Sequence, residues 1–168
     1  MFEYEQEYVT TSRLKIAYYR AGQEHEKKLL LIHGNLSSSV FFLPLLPVLS
    51  QHFDTVIPDL RCFGHSQALP VDATRGFKDL SDDLLSLVNA LDWDTCNLLG
   101  WSLGGGVAME FTKAHSHRVE KLALLAPCPP YGFGGVMGED GQPIHPLGLG
   151  SGAGSANKQL LMAIAAQG

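Results

Sequence analysis

Apolar positions along the chain fall into two patterns that take turns. Residues 28–32 (KLLLI), 55–58 (TVIP), 97–100 (NLLG) and 119–125 (VEKLALL) are short, dense apolar runs, the signature of buried strands. Between them, Phe77, Leu80, Leu84, Leu87, Val88 and Leu91 recur at helical spacing, and residues 104–114 form a second predicted helix. Ahead of the first run, residues 8–11 and 14–19 read as two β segments broken by Ser12 and Arg13, a predicted hairpin. Ser37, Ser38 and Ser39 are expected to cap a helix beginning near Val40, which Pro44 and Pro47 keep short or irregular.

Strands alternating with helices from Lys28 to Leu125 predict an α/β fold: a mostly parallel sheet with right-handed crossovers and helices on both faces. Pro127, Pro129 and Pro130 close the last strand. Beyond Tyr131 the pattern lapses. Residues 132–154 hold nine of the chain's 18 glycines, so no periodicity survives there, and only residues 158–167 keep helical character. Two regions follow: a core part over residues 1–130 and a glycine-rich segment over 131–168.

Composition changes this picture little. With 45% hydrophobic and 17% charged residues, the 168-residue chain reads as an ordinary globular protein with a substantial core. A net charge of −5 gives no electrostatic footprint for nucleic acid or an anionic membrane. No apolar run is long enough to span a bilayer, and the acidic start MFEYEQEY lacks the apolar region of a signal peptide. Cys62, Cys96 and Cys128 are too few and scattered for a disulfide framework and lack zinc-ligand spacing. A cytoplasmic location is expected.

The chemistry concentrates in LLGWSLGGGVAMEF, residues 98–111, at the junction of a strand and a helix. In an open parallel sheet, reactive groups sit at the carboxyl ends of strands. A strand that turns directly into a helix there forces the tip residue toward positive φ and points its side chain away from the sheet. Gly100 and Gly104 flank Ser102 where a side chain would collide with the neighbouring strand and helix. Gly105 and Gly106 are expected to let the helix press on the sheet. The turn also places Ser102 at a helix N-terminus, where unpaired N–H groups favour an anion such as a tetrahedral oxyanion. Leu103, next after Ser102, offers the first such N–H.

This strand, Gly-x-Ser-x-Gly turn and helix resemble the nucleophile elbow of α/β-hydrolases. Two further segments strengthen the resemblance. His33-Gly34-Asn35 follows the first parallel strand, and the resemblance assigns the second oxyanion N–H to Asn35. His33 precedes the nucleophile, whereas the family order is serine, acid, histidine, so it reads as a structural residue that holds the loop. Residues 59–66 (DLRCFGHS) are similar to the family's D-x-R-G-x-G-x-S loop, with Cys62 where glycine is usual. Asp59, Arg61 and Ser66 read as scaffold, and Cys62 as a buried or half-buried thiol. The segments 130–143 (PYGFGGVMGEDGQP) and 150–161 (GSGAGSANKQLL) resemble the start of the cap in intracellular short-chain-length polyhydroxyalkanoate depolymerases of the bacillus type.

The resemblance implies a serine-nucleophile carboxylic ester hydrolase that works through an acyl-enzyme, with a small-molecule or polyester substrate and no metal or organic cofactor. Serine at position 102 argues against haloalkane dehalogenases and epoxide hydrolases, which use aspartate there. The family's triad acid and histidine follow later strands. Here Glu139, Asp140 and His145 crowd the cap-like segment, so neither partner is assigned within this chain. The expectation is an N-terminal part of a longer hydrolase, nearly inactive alone, whose open sheet edge further chain, another copy or a partner chain covers. A lactonase or cofactor-free perhydrolase on the same machinery, and a non-catalytic binding protein that keeps the fold, are the alternatives.

Overall fold

A computed structural model describes residues 4–128 of the 168, so the segment 131–168, with its cap-like motifs, Glu139, Asp140 and His145, lies outside the described residues. Six strands form one sheet: β1 (Glu7–Thr10), β2 (Lys15–Ala21), β3 (Lys28–Ile32), β4 (Asp54–Pro58), β5 (Cys96–Trp101) and β6 (Val119–Leu125). Their spatial order is β1-β2-β4-β3-β5-β6. β1 and β2 form the antiparallel hairpin expected around Ser12 and Arg13, and β2 pairs antiparallel with β4. The pairs β4–β3, β3–β5 and β5–β6 are parallel.

β3 is the hinge of this architecture. The chain leaves it toward β4 on one side, then crosses back to β5 on the other. That reversal of strand order creates a crevice beyond the carboxyl ends of β3 and β5, where open α/β sheets place their reactive groups. Both faces of β3 are covered, which explains its unbroken apolar run. Leu29 and Leu31 pack with Phe42, Leu46 and Ile57 on one face. Leu30 and Ile32 pack on the other with Val56, Leu98 and the helices α2 (Lys78–Ala90) and α3 (Leu103–Ala114). α2 contributes Leu80, Leu84, Leu87 and Val88, the positions its 3.6-residue pattern marks; α3 contributes Val107, Ala108 and Phe111.

Among the described residues the first face carries a 3₁₀ stretch, Ser39–Leu45, running into the four-residue α1 (Leu46–Leu49). Ser38 stands at the N-cap position, but its side chain makes no capping bond. The Ser39 N–H donates instead to the Asp59 carboxylate at 2.7 Å, so a distant aspartate does the work expected of the serines. Gly105 lies against β5 as expected, a Cβ there falling 3.3 Å from the Gly100 carbonyl, whereas Gly106 differs from expectation. A Cβ on Gly105 would strike Pro127, and one on Gly106 would strike Cys128 Sγ and the Phe77 ring, so this glycine face admits the segment after β6 and the approach to α2. Among the described residues β6 pairs only with β5, and Leu124 and Leu125 are exposed.

Candidate active site

Ser102 sits between β5 and α3 with φ 54° and ψ −116°, a left-handed conformation that a residue with a Cβ adopts only under constraint. The constraint comes from both sides. The Ser102 N–H donates to the Leu125 carbonyl at 3.1 Å, continuing the β5–β6 ladder. Its carbonyl accepts from Gly105 N–H at 3.0 Å and from Cys128 N–H at 2.9 Å. One residue therefore belongs to a strand and a helix at once. The two flanking glycines have no alternative. A Cβ on Gly100 would collide with the Gly104 carbonyl, and one on Gly104 with the carbonyls of Ile32 and His33. The side chain of Ser102 is half-buried, and its hydroxyl bonds to no described residue. Leu103 opens α3, so its N–H has no partner within the helix.

The loop after β3 lies against this turn. A Cβ on Gly34 would fall 3.2 Å from Ser102 Cβ and 2.8 Å from the Trp101 ring. His33 is fully buried and both its ring nitrogens are engaged: Leu60 N–H donates to Nε2 at 3.0 Å, and Nδ1 lies 2.8 Å from the Gly34 carbonyl. Because Nε2 accepts, the ring proton is on Nδ1, which donates to Gly34. The Gly34 carbonyl and the Asn35 N–H share one planar trans peptide, so tethering the first fixes the direction of the second. Asn35 itself is exposed, and Leu36 after it is left-handed at φ 52°.

Asp59 locks this loop to its neighbour. Its buried carboxylate accepts from Ser39 N–H at 2.7 Å, His65 N–H at 2.9 Å and Gln6 Nε2 at 3.2 Å. The Ser66 hydroxyl donates to the Asp59 carbonyl at 2.7 Å and accepts from Ala17 N–H at 2.9 Å. Arg61 forms a two-pronged pair with Asp83, both bonds 2.7 Å, and donates to the Pro70 carbonyl. Asp83, missed in the sequence, also accepts from Arg13 Nε at 2.7 Å. The signal was present: Asp79 and Asp83 fall among the apolar positions of α2, where a carboxylate needs a partner.

A family model for the alpha/beta hydrolase fold matches residues 27–139. The chain belongs to this family. It is 31% identical to a serine hydrolase-like protein of Danio rerio over 112 residues, 67% of this chain and 33% of that one. It is 28% identical to the carboxylesterase YbfK of Bacillus subtilis (strain 168) over 71% of this chain and 40% of the relative. Among solved structures, a hydrolase from Pseudomonas aeruginosa PA01 matches with TM-score 0.68 and 27% identity over 74% of this chain and 46% of that one. The chain thus spans less than half the length of each of these relatives.

In this alpha/beta hydrolase the loop cysteine departs from expectation. Cys62 is exposed, with φ 67°, and its thiol donates to the Leu69 carbonyl at 3.0 Å. The left-handed turn that glycine would accept without strain directs this side chain outward. Cys96 and Cys128 are buried free thiols, and burial pushes Cys96 up to about 12, so it is inert as a nucleophile. Among the described residues no cluster of three or more His, Cys, Asp or Glu could hold a metal ion. No described helix is long and apolar enough to cross a membrane.

Burial lowers the His33 pKa below the usual imidazole range, against the opposing pull of its Gly34 bond and the Asp59 charge. The unfolded chain takes up this proton near ~6.5 while the folded ring stays neutral. Stability from His33 is therefore complete above that pH and is lost as pH falls through the lower folded value. The urea midpoint of the wild type should drop further between pH 7.5 and 5.5 than that of His33→Asn. Equal drops in both would remove the neutral-ring assignment.

Proposed function

We propose that this hydrolase cleaves carboxylic esters through a covalent acyl-enzyme, with Ser102 as nucleophile. One observation carries the reading: a serine held at φ 54°, its hydroxyl free of described partners, at the crevice where the strand order reverses. A binding protein gains nothing from a strained serine there; a nucleophile gains exposure and a fixed line of attack. The similarity to a carboxylesterase supports the ester class.

Ser102 Oγ attacks the ester carbonyl while its proton passes to a general base. The base and its orienting acid belong to parts of the protein outside the described residues. His33 is excluded from that role, since both its nitrogens are committed to backbone groups. The carbonyl oxygen becomes an oxyanion, and the N–H groups of Leu103 and Asn35 are its donors in this reading. Collapse expels the alcohol, which takes the proton from the base. Water then attacks the acyl-enzyme, and the carboxylic acid leaves.

His33 acts in this scheme as a positioning residue, through the Gly34–Asn35 peptide. The polyester reading rests on residues 130–161 and is a narrower form of the same proposal. The test is labelling of the full-length protein with a fluorophosphonate, read by peptide mass spectrometry. The expected result is a single adduct on Ser102, absent from Ser102→Ala. An adduct elsewhere, or none, overturns the assignment.

A further inference from the structure

Trp101 stands one residue before Ser102, and its ring lies parallel to that of Phe41, with centroids 4.2 Å apart and planes within 6°. The same Trp101 ring closes on Gly34, next to Asn35. An aromatic surface therefore borders both the nucleophile and the loop assigned to the oxyanion. It is not sealed in the core: Phe41 is 53% exposed and Trp101 half-buried. Nor is it charged, since residues 29–53 contain no Asp, Glu, Lys or Arg. Large apolar side chains beside a reactive serine cost solubility, and a substrate group that covers them offsets that cost.

We propose that the Phe41–Trp101 stack is the platform on which the acyl chain of the ester lies, and that it selects linear apolar acyl groups. This rests on the nucleophile assignment to Ser102. The tetrahedral carbon carries two other groups, the acyl chain and the leaving alkoxide. The alkoxide must collect a proton and so must lie beside a titratable group. Among the described residues the stack itself offers none. The acyl chain needs no proton, only apolar contact, and the stack supplies it on one side. A fully buried methylene is worth about a fourfold gain, and one-sided contact about half of that in free energy, or about twofold.

The experiment uses the full-length protein and two ester series. In the first, p-nitrophenyl esters run from acetate to hexanoate with the leaving group constant. In the second, acetate is constant and the alcohol lengthens. The proposal expects kcat/KM to rise about twofold per acyl methylene, roughly 16-fold from acetate to hexanoate, and to stay flat along the alcohol series. Phe41→Ala should reduce the hexanoate-to-acetate ratio below about threefold, and Phe41→Leu should give an intermediate ratio. Phe41 is half exposed, so neither change opens a core cavity. Ser102-dependent turnover with an unchanged ratio in Phe41→Ala overturns the platform and leaves the nucleophile standing. So does a preference that follows the alcohol. Turnover that survives Ser102→Ala overturns the nucleophile, and the platform with it.

Discussion

Replacing Ser102 by glycine is expected to make the protein more stable by about 1 kcal/mol while abolishing ester turnover. A non-glycine residue held in a sparsely populated region costs roughly 1–3 kcal/mol, and glycine escapes most of it, less its own greater entropy loss on folding. Ser102→Ala provides the control. It removes the same hydroxyl and keeps a Cβ at φ 54°, so its stability should match the wild type. Both variants should lose on the order of 10⁶-fold in kcat, the scale seen when serine proteases lose their nucleophile. Urea denaturation and p-nitrophenyl butyrate hydrolysis on the three proteins decide the matter. Equal stability of the glycine and alanine variants would show that no strain is stored at the elbow.

The second large effect is expected far from Ser102. Asp83→Ala should lower stability by about 3–5 kcal/mol, because it leaves the buried Arg61 guanidinium without its carboxylate. The pair is nearly solvent-free, with the Arg61 and Asp83 side chains 8% and 3% exposed, so water cannot compensate. The cost comes from the orphaned charge more than from the pair itself. Arg61→Met combined with Asp83→Leu should therefore recover much of the loss. A double variant as unstable as Asp83→Ala would contradict this account. Asp83 also holds Arg13 at the β1–β2 turn, so thermal unfolding of Arg13→Ala measures how much of the effect belongs there.

Most of the fold was legible because local patterns agreed with the tertiary outcome. KLLLI reads as a strand buried on both sides, and β3 has a cluster on each face. The apolar spacing after Phe77 marks α2, and glycines around a serine mark a turn that only glycine can make. Contacts between distant segments were not legible. Asp59 to Ser39 spans 20 residues, Asp83 to Arg13 spans 70, and no local rule ties them together. The Phe41–Trp101 stack was hidden for the same reason: Phe41 looked like one more apolar residue in an irregular helix. Cys62 was read as buried or half-buried although it stands where glycine is usual, a position whose left-handed backbone, φ 67° here, leaves the side chain exposed.

The crowding around Gly100 and Gly104 bears on how such a protein can diverge. Of the five residues in GWSLG, two are fixed by collision and the serine by the nucleophilic role proposed for it. Leu103 is held by the apolar cluster in which its side chain is buried. Trp101 alone packs outside the α2–α3 cluster, against Gly34 and the cluster on the opposite face of the sheet, and stacks on Phe41. A lineage that exchanges substrates can therefore substitute position 101 together with position 41, its stacking partner, and leave the turn intact. The motif then behaves as a rigid frame with one interchangeable part.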